Sequence, residues 1–116
     1  MPIYITQGRY TTDALKGMTS NPENREKAVA DLMTRAGGKL VALYFTFGEY
    51  DFLSIVEAPN EAVMASALIA GAASGGVTHL KTSIAMATND AMNAFRSAGE
   101  LRKSFKPAGG PARALE

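Results

Sequence analysis

Phe47-Gly48-Glu49-Tyr50-Asp51-Phe52-Leu53-Ser54-Ile55-Val56-Glu57-Ala58-Pro59-Asn60 holds a turn, a strand and a helix start in one short stretch. Gly48-Glu49-Tyr50 reads as the turn, with Gly48 supplying the unusual backbone angle of a hairpin. Asp51 to Ala58 reads as a strand, and Pro59-Asn60-Glu61 caps a helix. The residues before the turn, Lys39 to Phe47, include the β-rich run Leu40-Val41-Ala42-Leu43-Tyr44-Phe45. Two strands this close must be antiparallel, because a parallel crossover needs about a dozen residues or more.

Working outward, the chain repeats this grammar on both sides. Ile3 to Tyr10 predicts a first strand. Thr11 or Thr12 then caps a short helix with Asp13 in its first turn and Leu15 and Met18 along it. Asn21-Pro22-Glu23 predicts a second helix start, with Pro at the first helical position, where its missing N–H costs nothing. Val29, Leu32, Met33 and Ala36 follow at the spacing of a buried helical stripe, and Gly37-Gly38 stops it. After the hairpin, Met64, Ala67, Leu68 and Gly71 share one side of the next helix, which Gly75-Gly76 ends. Val77 to Met86 predicts a fourth strand. Thr88-Asn89-Asp90 caps a last helix, with Met92, Phe95, Ala98 and Phe105 spaced for packing.

The order is β-α-β-β-α-β plus a helix, an α+β, ferredoxin-like arrangement. Right-handed crossovers put both long helices on one face of a four-stranded antiparallel sheet. Residues 1–106 are expected to form one domain that includes the C-terminal helix. Residues 107–116, with their Ala-Gly-Gly-Pro-Ala run, are expected to form a flexible tail.

Strand parity then divides the sheet. Ile3, Ile5, Val41, Leu43, Phe45, Leu53, Ile55, Leu80 and Ile84 are expected beneath the helices. Tyr4, Thr6, Tyr44, Thr46, Phe52, Ser54, Val56, His79, Lys81 and Ser83 are expected on the open face. Such a face is too apolar to stay bare. A second copy across a two-fold axis is the simplest cover, giving a homodimer or higher oligomer with a ligand cavity between two sheets. The C-terminal helix folding back over the sheet is the alternative.

Composition bounds the chemistry. The chain has 116 residues, 47% of them hydrophobic, enough for one domain with a core. It has no cysteine, which excludes thiol catalysis, iron–sulfur ligation and cysteine zinc sites. The net charge is +1, so no global field draws it to nucleic acid or membrane. The basic residues after Ala94 read as a solvated helix face. The N-terminus lacks a basic region followed by a long apolar stretch, so no signal peptide is expected and the location is read as cytoplasmic.

The segment from Phe47 to Pro59, and above all Gly48-Glu49-Tyr50-Asp51, resembles the signature of the GYD domain family. Gly37-Gly38-Lys39-Leu40 is similar to the family's helix end and strand entry. The resemblance covers Ile3 to Met86 and implies a ferredoxin-like fold of the dimeric α/β-barrel kind. It implies no activity and carries over no catalytic residue. The motif also has a structural reading. Tyr50 packs its ring, and Asp51 accepts backbone N–H bonds near the turn.

His79 is the one histidine and the one catalytic candidate, as a proton acceptor near neutrality. Haem ligation by it has no other support in the sequence, and no cofactor or metal is expected. Tyr4, Thr6, Tyr44, Ser54, His79 and Lys81 are the candidate ligand-binding residues, all assigned to the cavity face. Three functions fit: a dimeric small-molecule binding or sensing module, a small cofactor-independent monooxygenase or isomerase using His79 and a tyrosine, and a structural oligomerisation subunit. No Ser-His-Asp set or phosphate loop is recognisable, so whether the protein is an enzyme stays open.

Overall fold

A computed structural model describes residues 1–109. The elements are β1 (Ile3–Tyr10), α1 (Thr12–Ser20), α2 (Glu26–Ala36), β2 (Lys39–Phe45), β3 (Phe52–Glu57), α3 (Glu61–Ala73), β4 (Val77–Ala85) and α4 (Thr88–Leu101). The chain divides into two units, Met1–Ala85 and a C-terminal unit beginning at Met86. Most of the expected tail, 107–116, lies outside the described residues.

The first unit has the expected ferredoxin-like topology. One sheet runs in the order β2-β3-β1-β4 with every pairing antiparallel. Local chemistry sets each boundary. Thr11 caps α1 by accepting from the Ala14 N–H at 3.2 Å. Asn60 caps α3 by accepting from the Val63 N–H at 3.0 Å. Each satisfies an N–H that the helix leaves without a partner. Gly48 has φ of 133°, a conformation that strains any residue with a Cβ, so the hairpin turn needs glycine. At Gly38 the constraint is space: a Cβ there would lie 2.6 Å from the Glu57 carbonyl oxygen. That close approach lets α2 hand directly into β2.

Several boundaries differ from the sequence expectation, most of all at α2 and before the hairpin. Asn21 ends α1 as its C-cap, and α2 begins at Glu26. The Asn24 side chain, not that of Asn21, accepts the Glu26 N–H at 2.9 Å. Pro22 thus stands in the connection rather than in the first helical turn. The strand preceding the hairpin ends at Phe45, and Phe47 is almost wholly exposed.

The sheet faces differ more. Tyr4, Thr6, Phe52, Ser54 and Val56 are buried, and Tyr4 and Val56 form the core with Met33, Ala58, Met64 and Ala67. The central strands therefore present the parity expected for the open face to the helices. The register explains the inversion. Tyr4 lies opposite both Val56 and Ile84, and Phe45 opposite Phe52, so these side chains share the helix side. Bulges at Leu40/Ala42 and Gln7/Arg9 break the simple alternation of the two edge strands. The opposite face carries Ile3, Ile5, Leu53 and Ile55 on the central strands, with Ala42, Tyr44, Lys81 and Ser83 beside them. Both faces of β1 and β3 are apolar, so hydrophobicity alone could not orient them.

The C-terminal unit contains α4. Its first-turn residue Asp90 suits the positive end of the helix dipole, but Ala87 provides no side-chain cap. No residue of α4 is buried, and Met92 and Phe95, expected to pack, are exposed, as is Phe105 beyond its end.

Candidate functional site

The hairpin motif fastens itself to the end of β1. The Asp51 carboxylate accepts the Tyr10 N–H at 2.9 Å. The Asp51 N–H donates to the Gly8 carbonyl at 2.8 Å. On the other side of the turn, the Arg9 Nε donates to the Glu49 carbonyl at 2.8 Å, and the Thr46 hydroxyl donates to the Tyr50 carbonyl at 2.8 Å. Four bonds thus fix the Gly-Glu-Tyr-Asp turn against the neighbouring strands, which gives the motif a structural role. Asp51 does accept a backbone N–H, though from β1 rather than from the turn itself.

This fastening also positions Tyr10. Its ring stacks on Phe45 with centroids 5.4 Å apart and tilts against Phe52 at 5.2 Å. Burial in this cluster raises its phenol pKa above 10.0, the Arg25 charge opposes the rise, and the Asp51 charge adds to it. Tyr10 stands at one edge of a cleft of about 590 Å³ between the sheet and α1, α2 and α3. That size suits an ordinary small-molecule ligand.

The cleft has a sequence origin. Its sheet floor carries the small Thr6 and Ser54 between Phe52 and Val56, and α3 faces it with Ala67, Ala70 and Gly71. α1 buries no side chain at all. Small residues on floor and roof leave a gap that larger ones would close. The Thr6 hydroxyl is committed to the Thr82 hydroxyl at 2.8 Å. Ser54 is 7% exposed, and among the described residues its hydroxyl has no hydrogen-bond partner. No fully buried side-chain polar atom there lacks a partner, so the Ser54 hydroxyl is reached from the cleft.

The six candidate ligand-binding residues do not converge. Thr6 and Ser54 line the cleft, and Tyr4 is buried on the same side of the sheet. Tyr44, 59% exposed, lies opposite Leu53, and Lys81 lies opposite Gln7, both on the other face. His79 is exposed at the β4 bulge, with φ of 53°. Sequence reasoning missed Tyr10 and the helix residues around the cleft. The alanines and glycine of α3 were the available signal, but they read equally well as close helix packing. Among the described residues, no three of His, Cys, Asp and Glu come together to hold a metal ion. No helix there is long and apolar enough to cross a membrane.

The GYD domain family model matches residues 4–95. A relative from Thermus thermophilus, the glutamine synthetase and cystathionine beta-lyase binding protein, is 34% identical over 77 residues. The matched stretch covers 66% of this chain and 81% of that protein. Among solved structures, TTHA0845 from Thermus thermophilus aligns with a TM-score of 0.49 at 17% identity, over 75% of this chain and 95% of that one. FFRP-DM1 aligns with a TM-score of 0.46 at 14% identity, over 74% of this chain and all of the other.

Proposed function

The chain belongs to the GYD domain family, and from that premise we propose that it is a dimeric binding module that docks on partner enzymes and catalyses no reaction of its own. The observation that carries this reading is the sheet face away from the helices. Ile3, Ile5, Leu53 and Ile55 form its centre, and the unit's own helices all lie on the other side. An apolar centre with Gln7, Glu57 and Lys81 around it has the composition of an interface, with an apolar middle and a polar rim. A second copy meeting it face to face would cover the isoleucines and Leu53 at once. A cavity between two such faces would be bordered by Tyr44 and Lys81.

The relative's name supplies the class of further partner. That protein is named for binding glutamine synthetase and cystathionine beta-lyase. We extend protein binding to this chain, in the cytoplasm, where such enzymes would meet it. The divergence of Tyr4, Tyr44, Ser54, His79 and Lys81 favours binding over a reaction that needs them together.

Native mass spectrometry of the full chain, alone and mixed with the host's glutamine synthetase and cystathionine beta-lyase, tests both parts. The expected result is a dimer or its multiple, with added mass when an enzyme partner is present. A monomer would remove self-association from the proposal. A dimer that captures neither enzyme would leave a structural oligomerisation subunit and sink the enzyme-docking part.

A further inference from the structure

We infer that the cleft beneath α1, α2 and α3 is a binding site for an uncharged, largely apolar small molecule with a hydrogen-bonding group that meets Ser54. The site is separate from the open sheet face, so it stands or falls independently of dimerisation and of enzyme docking.

Three observations fix the ligand's chemistry. The first is volume: about 590 Å³ is the size of ordinary ligand pockets and far above the space of a packing defect. The second is the lining. Phe52, Val56, Leu32, Met33 and Met64 supply apolar walls, so most of the ligand must be apolar. The third is the distribution of polar groups. Ser54, more than nine-tenths buried, offers the cleft a hydroxyl that no described residue engages. The charged groups lining the cleft, Arg25 and Glu23, pair with each other at 2.9 Å. A carboxylate or ammonium drawn into the cleft would lose its water and meet no charged group there beyond that solvent-exposed pair. An alcohol, ketone or amide loses less and can exchange a hydrogen bond with Ser54.

The way in is consistent with this. α1 buries no side chain, and Ala28 and Ala70 line the cleft while remaining exposed, which places them at its mouth. A bulky residue at either position would obstruct entry without replacing a core side chain.

Isothermal titration of the full chain with 1-decanol, and with decanoate of equal chain length, tests the assignment. One decanol per chain is expected, with decanoate at least about tenfold weaker because its charge is not compensated. Ser54→Ala, which removes only the hydroxyl, is expected to weaken decanol binding about fivefold. Ala28→Trp and Ala70→Trp are expected to abolish it while keeping the wild-type circular dichroism spectrum. The assignment is overturned if decanol fails to bind the folded wild type up to its solubility. It is equally overturned if both tryptophan variants bind as wild type, or if decanoate binds as tightly as decanol. Should the tryptophan variants fail to fold, Ser54→Ala decides alone, and unchanged affinity there rejects the site.

Discussion

Asp51 is a single carboxylate with two consequences. Its oxygen ties Tyr10 to the hairpin, and its charge acts on the Tyr10 ring. The phenol, buried against Phe45 and Phe52, has its pKa raised above 10.0. The folded state therefore holds the Tyr10 proton to higher pH than the unfolded chain does. Stability from this group is complete below the ordinary tyrosine value. It falls as pH rises from there through the folded value, because only the unfolded form gains by ionising. Denaturation followed across this alkaline range should show the loss in the wild type and a shallower one in Tyr10→Phe. Asp51→Asn removes one of the causes of the rise, so Tyr10 should ionise at lower pH, read as tyrosinate absorbance relative to Tyr10→Phe. An unchanged titration would mean that the Asp51 charge adds nothing to the rise. The motif was legible in the sequence as a turn. Its bonding partner on β1 was not, because that contact joins residues 41 positions apart.

The elements show where sequence periodicity fails. β4 contains a bulge, and His79 takes φ of 53° where its register with β1 shifts. Histidine enters the left-handed region more readily than most residues, whereas a β-branched side chain does so at a cost. His79→Val should therefore lose about 1–2 kcal/mol of stability in chemical denaturation, and His79→Gly should be close to neutral. Equal stability of the valine variant would show that the bulge relaxes at little cost. A uniform alternation of two cannot locate such a bulge, and this is part of why face assignment failed. The rest of the reason lies in β1 and β3, where Ile3-Tyr4-Ile5 and Leu53-Ser54-Ile55-Val56 offer apolar side chains to both sides. The helix stripe Val29, Leu32, Met33 and Ala36 was legible because its opposite side is polar. Element order was legible for the same reason that capping was: Thr11, Asn60 and Gly37 act on their immediate neighbours.

At the scale of the molecule, the sheet has two apolar faces. One face holds the helices and the cleft, and the proposed dimer would use the other. Ile55 separates the two, because it lies opposite Ile5 at the centre of the open face and takes no part in the core around Met33 and Met64. Ile55→Lys places a charge where the proposed dimer would exclude water. Loss at the centre of an interface is where the largest effects occur, so the dimer dissociation constant should rise at least about thirtyfold. Sedimentation at graded concentrations would read this as monomer, with the circular dichroism spectrum and thermal midpoint of the fold retained at low concentration. If the C-terminal helix covers the face instead, the same substitution would leave the oligomeric state unchanged and lower the thermal midpoint of a monomer. Decanol binding separates the two faces further. A monomeric Ile55→Lys protein is expected to take one decanol per chain still, because the cleft lies within one protomer, and loss of decanol binding with the fold retained would contradict that independence.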